Sequence, residues 1–233
     1  MCIKSSSRVF WIVIITVVLV SFVAVPVVVD TVHNEVKTVV IDPGHGGLDS
    51  GVSSENGVKE SDIVLLIGKA LGEYLESGGF KVVFTRKNKS ALVGGRFVKK
   101  TDMQKRGEII KKAKPHLVVS LHLNSFSDRK RKGIQVFFGR EDSRDFALLA
   151  QDVLNEKFNI PNAGRNFSIL KTDKYILNES PSTAVIIECG FLSNEAECIR
   201  LCDKEYRMKI ASVICEAIVD TVPQIYTEYS QSP

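Results

Sequence analysis

Short, nearly unbroken apolar runs alternate along this chain with segments whose apolar residues recur at helical spacing, and this alternation constrains the fold more than any other feature. Strands are expected at about Lys37 to Ile41, Phe80 to Thr85, Leu117 to Leu123, Gly133 to Phe138, Phe167 to Leu170 and Thr183 to Ile187. Helices are expected at about Glu60 to Ser77, Thr101 to Lys114, Ser143 to Phe158 and Lys204 to Val222. Strands that are apolar throughout are those covered on both faces, which is the habit of parallel sheets. The expectation is an α/β domain: a three-layer sandwich with a largely parallel central sheet of about six strands, flanked by helices.

Length allows one such domain. The 233 residues, 44% hydrophobic and 25% charged, build one well-filled core and not comfortably two. The domain is expected to span residues 37–222, with 223–233 as a C-terminal tail. Ahead of it lies an uncharged run, Val9 to Val29, long enough to cross a bilayer. Lys4 and Arg8 precede the run and Asp30 follows it, so residues 1–8 stay in the cytoplasm and the domain is sent across. No small-x-small cleavage site closes the run, which therefore reads as an uncleaved transmembrane anchor over 9–29, with 30–36 as a tether. The five cysteines, an odd number without paired spacing, do not describe a disulfide framework. Cys198 and Cys202, four apart, read first as small buried residues and second as part of a metal site. The net charge of +4 is mild, and nucleic acid is not an expected partner of an exported domain. The basic turn Asp128 to Gly133 reads as solvated, with a weaker attraction to an anionic polymer.

In parallel sheets, ligands bind beyond the carboxyl ends of the strands. His45 follows the first strand inside the glycine-rich "PGHGG", His122 closes "HLVVSLHLN", and Glu188 closes "TAVIIECG". Glu60 is in helical register with Val64, Ile67 and Leu71, so a carboxylate heads the stripe that packs on the sheet. A buried carboxylate needs a partner. Two imidazoles and a carboxylate form a set that zinc accepts in catalytic sites, with a fourth position open to water. Singly, each residue has a plainer reading: His45 as a hydrogen-bonded loop histidine, Glu60 as a helix N-terminal carboxylate. Their meeting at one sheet edge favours the metal. His33 and His116 gain no such support. A nucleotide site at "GHGG" fails because no helix begins directly after the glycines, and Cys189, beside Glu188 on a strand, should face away from it.

The blocks "IDPGHGG", "GVKESDIVL", "SLHLNS" and "IIECGFLSN" resemble, in order, the signature blocks of the zinc-dependent N-acetylmuramoyl-L-alanine amidases of type 3. The resemblance covers about Lys37 to Val222. It implies zinc held by His45, Glu60 and His122, and Glu188 as catalytic glutamate. It implies hydrolysis of the amide between N-acetylmuramic acid and the L-alanine of peptidoglycan stem peptides. Arg106 matches a family arginine and points inward, as a structural or supporting residue. Asn124, two beyond His122, is suited to orienting a ligand or the substrate; Asp42 orients an imidazole or simply forms the turn before Pro43. The segments Lys87 to Lys100 and Gly139 to Arg165 are expected to shape substrate recognition. With an anchor and a bare catalytic domain, the chain is similar to the germination-specific amidases of spore formers, which act on cortex on the way to muramic δ-lactam. The implied location is outside the cytoplasm, facing the cell wall or the space between the forespore membranes. Remaining alternatives are a general cell-wall amidase, an accessory protein as partner, and a catalytically silent wall-binding or regulatory module; retention of Glu188 argues against the last.

Overall fold

The structure, a computed structural model, describes residues 36–94 and 97–229. The expected cytoplasmic segment and anchor, and the tether up to residue 35, lie outside the described residues, and no described helix is long and apolar enough to cross a membrane.

Six strands form one sheet: β1 (Thr38–Pro43), β2 (Lys81–Phe84), β3 (Leu117–Asn124), β4 (Gln135–Phe138), β5 (Leu170–Lys171) and β6 (Thr183–Phe191). Their spatial order is β2-β1-β3-β6-β4-β5, and every neighbouring pair is parallel except β4 with β6. The helices are α1 (Glu60–Ser77), α2 (Lys99–Ala113), α3 (Arg144–Leu154), α4 (Ile160–Ala163), α5 (Tyr175–Asn178), α6 (Glu195–Cys202) and α7 (Lys204–Tyr229). This is the three-layer α/β arrangement that the alternation predicts.

The two faces are covered unequally. On one, α1, α3 and α7 pack on Val39, Ile41, Leu117, Val119, Leu121, Val185 and Ile187, and α1 and α3 both lie against α7. On the other, α2 and the single turn α5 cover Val40, Val118, Ala184 and Ile186 through Ile110, Ile176 and Leu177. Helix α2 is mostly charged and sends only Met103, Arg106 and Ile110 toward the sheet as large side chains. It ends at Lys114, which turns into the left-handed region (φ 46°) before Pro115.

Three elements differ from expectation, the first being β5, a two-residue strand at Leu170–Lys171 where one over Phe167 to Leu170 is expected. The helix expected at Ser143 to Phe158 passes from α3 into a π turn, Asn155–Asn159. The wider turn accompanies a side-chain ladder: Gln151 Oε1 accepts the Val136 N–H (2.7 Å), Asn159 Oδ1 accepts the Ile134 N–H (2.7 Å), and Asn155 Oδ1 accepts the Phe167 N–H (2.9 Å). These bonds satisfy backbone groups that sheet pairing leaves unused. At the other end, α7 does not stop at Val222. Its backbone continues helically through Pro223 to Tyr229, so most of the expected tail extends the helix.

Candidate functional site

Because side chains alternate along a strand, one set of positions faces α2 and α5 throughout: Val40 and Asp42 on β1, Val118, Ser120 and His122 on β3, and Ala184, Ile186 and Glu188 on β6. Within that set the strands begin apolar and end polar. Asp42 stands abreast of Ser120, and His122 abreast of Glu188. Above the polar ends the thin helical layer opens into a cleft of about 680 Å³, lined also by His45, Glu60, Asp49, Asn124, Lys174 and Tyr175.

Glu60 reaches the cleft from the opposite face. It is the first residue of α1, and Ile63, Val64, Ile67 and Leu71 of the same helix pack into the thicker core. Its Oε2 accepts the Val52 N–H at 2.9 Å, and its Oε1 accepts the Leu123 N–H at 3.1 Å. That Oε1 also stands 2.9 Å from His122 Nδ1 and 3.2 Å from His45 Nε2, while the two rings meet edge to face with centroids 5.0 Å apart. One ligand atom from each of the three residues falls within 4.8 Å of the others, and they are the only such group among the described residues. Donors about 2.1 Å from a tetrahedral zinc stand about 3.4 Å apart. The observed spacings therefore fit zinc in scale, and a borderline-soft cation suits two imidazoles and a carboxylate. Burial would raise the Glu60 carboxyl, but the two imidazoles hold it well below the usual carboxylate range. Burial pulls His45 down, and Glu60 together with Asp49, whose Oδ1 is 2.9 Å from His45 Nδ1, more than offsets this and raises it.

The turn carrying His45 is under constraint. His45 has φ 60°, which is uncommon for a residue with a side chain, and a Cβ on Gly44 would come 2.3 Å from His122 Cε1. Two buried arginines hold the turn. Arg106 donates to the carbonyls of Pro43 and His45, to Asp42 Oδ1 at 2.7 Å and to Asp102 Oδ2 at 2.9 Å. Arg86 donates to the carbonyls of Pro43 (2.9 Å), Gly44 (2.7 Å) and Ser61 (2.8 Å), tying the turn to the first residues of α1. Asp42 is buried, and Arg106, Thr85 and Ser120 more than offset that burial and hold its carboxyl below its ordinary value.

Glu188 faces the cluster from β6. Its Oε2 is enclosed and has no hydrogen-bond partner among the described residues. Burial, aided by the Glu60 charge and opposed by His122 and His45, pushes its carboxyl up to about 7. A carboxyl in that range can take and return a proton near neutral pH, and a cation bound beside it draws the value down again.

The structure thus brings His45, Glu60, His122 and Glu188 to one place. Arg106 points inward as expected. Among the described residues Asp42 pairs with no imidazole; it is half of the buried pair with Arg106, and the carboxylate beside the outer nitrogen of His45 is Asp49, which the sequence reading missed. Asn124 lines the cleft, but a register shift separates it from His122, and its Oδ1 accepts the adjacent Ser125 N–H at 2.8 Å. Arg86 was also missed. The segment Gly139 to Arg165 does not line the cleft; it packs its apolar stripe on the far face, and Lys174 with Tyr175 stands at the cleft instead. Among the described residues from Lys87 to Lys100, only Lys99 reaches the cleft. His116 accepts the Thr38 N–H at the opposite end of the sheet, and His33 lies outside the described residues. Cys189 is buried in the thicker core, on the face away from Glu188, and the four described cysteines are unpaired.

The N-acetylmuramoyl-L-alanine amidase family model matches residues 39–220. The germination-specific N-acetylmuramoyl-L-alanine amidase of Bacillus subtilis (strain 168) is 29% identical over 204 residues, covering 84% of this chain and 83% of the relative. The probable cell wall amidase LytH of Staphylococcus epidermidis is 26% identical over 193 residues, covering 82% of this chain and 59% of the relative. Among solved structures, the CwlD amidase from Clostridioides difficile, in complex with the GerS lipoprotein, is 33% identical with a TM-score of 0.75. That match covers 81% of this chain and 99% of CwlD.

Proposed function

The chain belongs to the N-acetylmuramoyl-L-alanine amidase family and is an amidase of peptidoglycan, and from this premise we propose that Glu188 is the proton-transfer residue beside a zinc held by His45, Glu60 and His122. The observation that carries the reading is the enclosed, unpartnered Glu188 oxygen facing that cluster. When bound, zinc supplies a Lewis acid that makes water more acidic and polarises a carbonyl. Glu188 accepts the proton of the attacking water at its carboxylate and returns it to the leaving amide nitrogen, which departs poorly unless protonated. The Asp49 carboxylate stands 2.9 Å from Nδ1 of His45, and Arg106 and Arg86 hold the backbone of its turn, so the imidazole is placed before substrate arrives.

We further propose that the substrate is spore cortex, where the cleavage precedes formation of muramic δ-lactam. The match to the germination-specific relative supports this, and the GerS complex of CwlD supports an accessory protein as partner. The LytH match supports a second reading, general wall turnover. The uncharged run 9–29 supports a membrane anchor and a domain outside the cytoplasm. Muropeptide analysis of a deletion strain tests the choice. A cortex role predicts spores without muramic δ-lactam and an unaltered vegetative wall; normal lactam with uncleaved stem peptides in the vegetative wall would support the second reading and overturn the first.

A further inference from the structure

The carboxylates and cations around the cleft nearly all have partners. Asp42 and Asp102 are taken up by Arg106, and Lys99 lies 4.0 Å from Asp49. Among the cations Lys174 is the exception: among the described residues it makes no ion pair, although it is exposed at the cleft wall. Its neighbouring acid, Asp173, bonds the side chain of Asn178 instead.

The three residues after Lys174 fix its position. Ile176 and Leu177 are buried against the sheet, and the Tyr175 ring lies against Gly107 of α2, where an added Cβ would meet its hydroxyl at 3.4 Å. These contacts pin α5, and Lys174, at the residue before it, is held extended (φ −120°, ψ 134°) on the cleft wall. It lines the same cleft as Glu188. An unpaired cation in the cleft that holds the reacting carboxylate is a recognition element for an anionic substrate group, because the lysine head can be desolvated there only against an opposite charge.

We propose that Lys174 is a specificity residue that binds the free carboxylate of the stem peptide next to the scissile amide. The inference rests on the amide-hydrolysis reading of the site. In a peptide that continues from L-alanine into a γ-linked glutamate, the glutamate's α-carboxylate lies one residue beyond the leaving nitrogen. At about 3.8 Å per residue this is within reach of a four-carbon side chain rooted at the cleft wall. The sugar side of the bond offers no comparable charge.

The test uses the zinc-loaded full-length protein and two soluble muropeptides that differ only in the glutamate α-group, one a free acid and one its carboxamide. Wild type should cleave the acid with about tenfold higher kcat/KM. Lys174→Met should lower kcat/KM for the acid about tenfold, to the level of the carboxamide, and Lys174→Arg should retain the preference. Zinc content should match wild type in both variants. Equal rates on the two muropeptides in wild type, or an equal fall on both in Lys174→Met, would overturn the inference while leaving amide hydrolysis intact. Cleavage of neither muropeptide by wild type would overturn both readings together.

Discussion

On one face of the sheet three long helices bury a continuous aliphatic layer, and on the other a charged helix and a single turn cover only the first half of the strands. The same strands serve both faces. β3 sends Leu117, Val119, Leu121 and Leu123 to the thick face and Val118, Ser120 and His122 to the thin one. The division lets chemistry be concentrated where packing is sparse. It also explains why Glu60 matters: it is the ligand candidate carried by an element of the thick face, so the cluster is anchored in the larger core although it opens on the smaller one.

Substitutions on the two faces should therefore separate chemistry from stability. The largest effect is expected from His45→Ala combined with His122→Ala, which should take zinc from one per chain to almost none by elemental analysis while the thick face keeps the domain folded. Full metal content would remove both residues from the ligand set. Next, Arg106→Met should lose about 3–5 kcal/mol in urea denaturation, because Asp42 is left buried and unpaired, and should also lose activity because the His45 turn is released. Leu71→Ala, on the thick face, should lose about 2–5 kcal/mol while specific activity of the folded protein stays at the wild-type level. Activity falling in step with stability for Leu71→Ala would blur the division.

A buried glutamate of the thick face sharpens the same contrast. Glu197 is buried on α6, where burial pushes its carboxyl up to about 7 despite bonds from Phe191 and Gly133 N–H groups. A raised value means that the folded state keeps a proton which the unfolded chain has released. This contribution is complete below pH 4.5 and is lost as pH rises through about 7, a loss on the order of 1–3 kcal/mol. Glu197→Gln should flatten that slope in pH-dependent denaturation without altering turnover; an unchanged slope would place its titration elsewhere.

Much of this was legible in the sequence for physical reasons. Unbroken apolar runs name parallel strands, strand ends name the binding edge, and the register of Glu60 with Val64, Ile67 and Leu71 turns a carboxylate inward. The residues that were missed owe their roles to loop closure. Arg86 sits two residues past β2 and is buried only because the β1 turn and the start of α1 fold onto it. Asp49 meets His45 through a non-helical turn, for which four-residue spacing is no guide. Gly139 to Arg165 reads as a recognition segment, but its buried Gln151, Asn155 and Asn159 are spent on the backbone of Val136, Phe167 and Ile134.

The central claim is that Glu188 moves protons while His45, Glu60 and His122 hold the metal, and one substitution separates the two roles. Glu188→Gln keeps the shape and a hydrogen-bonding head but cannot accept the proton. Purified Glu188→Gln protein should retain wild-type zinc content and urea stability, while release of L-alanine-terminated peptides from a muropeptide falls by about two to four orders of magnitude. Cleavage within about threefold of wild type would contradict the account, and loss of zinc together with activity would make Glu188 a ligand instead of a base.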